Sequence, residues 1–80
     1  MANVPKKHSI TLNGHRTSIS LEDDFWAALN QAAIKNNVAL GKLVEQIDAK
    51  RGETGLSSAI RSFILKDLQQ KLEQATRKRN

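Results

Sequence analysis

The 80-residue chain has no cysteine and no tyrosine, one proline, one tryptophan and two phenylalanines. Each scarcity excludes something. Without thiols there is neither a disulfide nor a thiolate metal site. Only His8 and His15 remain as nitrogen ligands, whereas a structural zinc takes about four ligands. No metal site is expected. No apolar run is long enough to span a bilayer, and the first residues lack the apolar stretch of a secretory signal. A cytoplasmic protein is expected. There is no GxSxG elbow, no phosphate-cradling glycine loop after a strand and no pair of carboxylates on a plausible cleft wall. Neither catalysis nor a cofactor is expected. A single small domain of this length buries only about 60–65% of its unfolded surface. With disulfides and metals excluded, pairing with a second copy is the remaining way to enlarge the core.

What is present is basic. Thirteen Lys and Arg against eight Asp and Glu give a net charge of +5. Residues 1–16 carry Lys6, Lys7 and Arg16 and no acid; residues 17–76 are near neutral; Arg77, Lys78 and Arg79 close the chain. Basic ends suit a polyanion such as nucleic acid or an anionic membrane surface. They also simply keep a small protein soluble.

Residues 1–6 read as a loose arm containing Pro5, residues 7–76 as the folded domain and residues 77–80 as a basic tail. The domain opens with HSITLNGHRTSISL. Asn-Gly favours the positive φ angles of a type I′ turn, and the runs on either side alternate, so a hairpin is expected. A two-residue loop sets Leu12 opposite His15, Thr11 opposite Arg16, Ile10 opposite Thr17 and Ser9 opposite Ser18. One face then carries Ile10, Leu12, His15, Thr17, Ile19 and Leu21. The other carries Lys7, Ser9, Thr11, Arg16, Ser18 and Ser20, all hydroxyls and cations. Such a ribbon is stable only when its apolar face packs on something else.

Three amphipathic helices follow. Ser20-Leu21-Glu22-Asp23 approximates a capping box with Ser20 as N-cap. Phe25, Ala28, Leu29, Ala32 and Ala33 then keep the helical period, with Trp26 beside that stripe, and Asn36-Asn37 suits a left-handed helix end. A second helix spans about 40–50, with Leu40, Leu43, Val44 and Ile47 on one face. Residues 51–55 (RGETG) break it. A third helix starts at Ser57 or Ser58 and runs to about 77, with Leu56, Ile60, Phe63, Ile64, Leu68 and Leu72 as its stripe. Arg61 is expected to face solvent. The class is α+β, mostly α.

The stretch RTSISLEDDFWAALNQAAIKNNVALGKLVEQI resembles a ribbon-helix-helix domain of the Arc/MetJ type. The GHRTSISLE strand, the LVEQID helix and the LSSAIRSFIL helix together resemble a short bacterial subfamily with an extra N-terminal strand and a third helix. The resemblance implies an intertwined homodimer whose strands form a ribbon for the DNA major groove. It implies a transcriptional regulator or an antitoxin-like repressor, with double-stranded DNA as partner and a toxin as a further one. Its outward strand positions match Arg16, Ser18 and Ser20, which it makes base readers. Arg can donate twice to guanine, and serine can donate or accept. The start of the second helix, at Gly41 and Lys42, matches the family's phosphate contact, where free N–H groups favour an anion. Lys7 adds a phosphate-facing cation.

On pattern alone, the same serines also fit a solvated strand face, and Gly41 fits a close helix approach. The added strand raises a second alternative. Folded back on Arg16–Leu21 in both copies of a dimer, it would make four strands, too wide for a groove of about 12 Å when strands lie about 4.8 Å apart. Either that strand peels away, or it re-pairs between copies, or the dimer is an interaction module that does not read DNA.

Overall fold

The computed structural model describes residues 4–77. Strand β1 (Lys6–Leu12) and strand β2 (His15–Leu21) form an antiparallel pair, followed by α1 (Asp23–Lys35), α2 (Leu40–Lys50) and α3 (Leu56–Arg77). The register is the one expected, from Leu12 opposite His15 to Lys6 opposite Leu21. Asn13 (φ 51°) and Gly14 (φ 81°) both lie in the left-handed region, as a type I′ turn demands. The twist of that turn matches the twist of the strands, so local chemistry alone closes this ribbon within one chain.

The apolar face of the ribbon packs on all three helices. Ile10, Leu12, Ile19 and Leu21 join Leu29, Ala32, Ala33, Leu43, Val44, Ile47, Ile60 and Ile64 in one buried core. Leu21, Leu29, Val44 and Ile60 are fully enclosed. No polar or charged residue is buried among the described residues, and no helix there is long and apolar enough to cross a membrane.

The end of α1 and the α2–α3 turn follow from their residues, but the start of α1 does not. At the end of α1, Asn37 takes φ 58°. Its N–H donates to the Ile34 carbonyl, and that of Val38 to the Ala33 carbonyl, the bond pattern of a Schellman ending. Arg51 closes the α2–α3 turn by donating to the Asp48 carboxylate and the Thr54 carbonyl. The exception is the start of α1. Its N-cap is Glu22, without a side-chain cap bond, rather than Ser20. The ladder runs through to Leu21 and holds Ser20 opposite Lys7, so Ser20 is a strand residue two positions short of the helix cap.

The helix α3 outruns its neighbours. Its 22 residues cover about 33 Å at 1.5 Å per residue, against 13 residues in α1. Lys35, the last residue of α1, pairs with Asp67 at 3.2 Å. Beyond that point Leu68 and Leu72 are exposed although they continue the stripe of Ile60 and Ile64.

Candidate nucleic-acid interface

The outer face of the ribbon consists of three cross-strand rows, Thr11–Arg16, Ser9–Ser18 and Lys7–Ser20. All of these side chains are exposed except Ser20, which is half-buried beside the start of α1. Residues 4–21 contain no acid. Among the described residues, Lys7 and Arg16 form no ion pair. Their charge is therefore available to an outside partner. In a hairpin closed by a two-residue loop the pair flanking the loop is hydrogen-bonded, so every second pair is not. The three outer rows are these non-hydrogen-bonded pairs, in which side chains stand closest together.

One end of this face meets α2. A Cβ on Gly41 would lie 2.9 Å from the Thr11 carbonyl oxygen, so only glycine lets the helix approach the strand this closely. The N-cap Ala39 makes no side-chain cap bond, and the first N–H groups of α2 remain as donors. The candidate phosphate contacts Gly41 and Lys42 thus stand at the Thr11–Arg16 end of the ribbon, whereas Lys7 and Ser20 lie at the opposite end. Lys42 is exposed but pairs with Glu45 at 3.8 Å. The other oxygen of Glu45 accepts the backbone N–H of Asn13 at 2.9 Å. This carboxylate anchors the turn to α2 and sets one negative charge beside the ribbon tip.

Strand β1 does not hang loose. Ile10 and Leu12 are buried, and Glu45 and Gly41 hold its turn end. Peeling it away would expose both side chains, at about 1.5–3 kcal/mol each. A domain whose whole stability is about 5–15 kcal/mol loses a large share of it that way.

Three contacts escaped sequence reasoning. Arg61 is only partly exposed and is paired. Its Nε and Nη2 donate to the two oxygens of Glu22 at 3.0 and 3.1 Å, and its guanidinium lies 5.8 Å from the centre of the Phe25 ring. The hydrogen bond from Arg61 holds the Glu22 carboxyl below its ordinary pKa. The His8 ring stacks on Trp26 with centroids 3.9 Å apart, leaving Nε2 buried without a hydrogen-bond partner. Glu45 is the third. These partners lie 18 to 39 positions apart in the chain, and no local pattern links residues at such separations. Among the described residues, no group of His, Cys, Asp or Glu is placed to hold a metal ion.

A family model described as a ribbon-helix-helix domain matches residues 5–68. No curated protein and no solved structure matches the chain.

Proposed function

The chain belongs to the ribbon-helix-helix family, and from that premise we propose that it is a sequence-specific DNA-binding protein, either a transcriptional regulator or the DNA-binding half of a toxin–antitoxin pair. The observation that carries this reading is the acid-free outer face of a two-stranded ribbon, bearing hydroxyls and two unpaired cations. A two-stranded ribbon is of a size that the major groove admits. Arg16 donates to guanine O6 and N7; Ser18 and Ser20 bond to base edges of either kind. Lys7, Lys42 and the N–H of Gly41 take phosphates. Two copies pair, as domains of this family generally do, and each then brings one recognition surface. The chain has no catalytic role.

Selection from a pool of randomised duplexes tests the reading. The native chain should enrich one sequence, with affinity falling steeply as salt rises, because phosphate contacts release counterions. Arg16→Ala should cost about 1–3 kcal/mol on the selected duplex and relax preference at one base. Lys42→Ala should weaken all duplexes alike. Weak, sequence-blind binding at physiological salt would sink the proposal. Glu45 beside the ribbon tip favours the second reading, a dimeric interaction module of the same fold that takes a protein partner and repels phosphate.

A further inference from the structure

We infer that the C-terminal half of α3 is a contact face between copies of this chain, on which the same face of a second copy packs antiparallel. The inference does not depend on DNA binding, and the face uses no residue of the ribbon.

Leu65, Leu68 and Leu72 recur along α3 at intervals of three and four, the spacing that sets side chains in one row on a helix. They are 56%, 51% and 70% exposed. Beside the first two lies an open hollow of about 330 Å³, lined by Phe25, Arg61, Ser62, Ile64, Leu65 and Leu68. The charged residue of that lining, Arg61, is already engaged by Glu22, and most of the other groups are apolar. The hollow therefore suits an apolar side chain. Leu72 is the most exposed member of the row and lies seven residues beyond Leu65, about 10.5 Å along the axis. A two-fold axis beside Leu68, midway between them, sets Leu72 of each copy at the level of Leu65 in the other. Each Leu72 then enters the hollow of its counterpart. One chain thus carries both a projecting side chain and the recess that receives it, at a separation that a two-fold axis makes reciprocal. That is the requirement for an isologous contact, in which one patch is its own complement. A chain of another sequence would have to supply this match, whereas a second copy has it by construction.

Charge permits the approach. On a helix of 3.6 residues per turn, Gln69 and Lys71 flank the row on its two sides. Gln69 is neutral, and Lys71 is paired with Asp67 at 3.7 Å. Asp67 is in turn held by Lys35 at 3.2 Å.

The full chain has no cysteine, so one introduced thiol reports on the contact. Leu68→Cys lies beside the axis and meets the same residue of the second copy, where a disulfide can form. Gln70→Cys is also exposed but points to the opposite side of the helix, about 200° away. Under mild oxidation at micromolar concentration, Leu68→Cys should give a covalent pair at least about tenfold faster than Gln70→Cys, because thiols held in contact need no fresh encounter. Adding Leu72→Glu to Leu68→Cys should lower the rate to that of Gln70→Cys, since the carboxylate would have to enter an apolar hollow. Adding Leu72→Met, which conserves volume and apolar character, should leave the rate high. Leu72 lies outside the buried core, and thermal melting confirms that each variant folds. Equal rates for Leu68→Cys and Gln70→Cys would overturn the inference and leave the face to a different chain. A fast Leu68→Cys reaction that Leu72→Glu does not slow would overturn it too, because Leu72 would then not be seated in the contact.

Discussion

Glu22 ends the ribbon and begins the helices, and its bidentate pair with Arg61 clasps that joint to α3. The pair has a pH signature. Because Arg61 lowers the folded-state pKa of Glu22, folding is favoured while the carboxylate is ionised. The contribution is complete above the ordinary glutamate value of about 4.3 and is lost as pH falls through the lower folded value. Thermal melting of the native chain should therefore decline through the acid range more than that of Arg61→Met, in which Glu22 has lost the main cause of its lowered pKa. Identical profiles would mean that the pair adds nothing to stability. Residue-scale contacts of this kind were the least legible part of the chain. Ser-Leu-Glu-Asp looked like a capping box because the motif is local. What displaced it was the continuation of the ladder through Leu21 and a guanidinium 39 residues away, and neither leaves a mark on the local sequence.

At the scale of elements the sequence was far more informative. The Asn-Gly turn, the alternation on each side of it and the stripes of the helices all express local chemistry, and the observed register and the bounds of α2 follow from them. The extent of α3 was legible too, but not the change in its surroundings. Its stripe continues through Leu68 and Leu72, while its neighbour α1 stops at Lys35, and the length of a neighbour is not a property of α3. Gly41 shows where element packing turns on one atom. Glycine within a helix is costly relative to alanine by about 1 kcal/mol, so Gly41→Ala gains helix propensity. The added Cβ meets the Thr11 carbonyl at 2.9 Å, a backbone atom that yields only if the strand or the helix moves, and overpacking of this sort costs about 1–3 kcal/mol. The contact should win. Urea unfolding should show Gly41→Ala destabilised by about 1–2 kcal/mol, and an unchanged or higher midpoint would mean that α2 can shift away from β1 freely.

For the whole molecule, size is the governing constraint. Twelve residues form the buried core, no cysteine is present to supplement it with a disulfide, and Ile34, Leu65, Leu68 and Leu72 remain exposed. A second copy would reduce that exposure, and sedimentation at micromolar protein should give about twice the 8.9 kDa mass of one chain. A mass of one chain would remove the dimer from the proposal. The basic excess also belongs to this scale. The ribbon carries part of it in Lys6, Lys7 and Arg16 and the C-terminal end the rest in Arg77, Lys78 and Arg79, while residues 17–76 are close to neutral. Lys78 and Arg79 lie outside the described residues.

The closure of the hairpin also has a consequence in time. The residues that meet across it are 3 to 15 positions apart, from Leu12–His15 to Lys6–Leu21. A hairpin with such short loops closes in about 1–10 μs, and its rate does not depend on how many other copies are nearby. A ribbon assembled from two chains must wait for an encounter, and that wait lengthens with every dilution. Here the strand partner is always one turn away, so the β1–β2 pairing is rebuilt by each newly made chain on its own, however scarce the protein is.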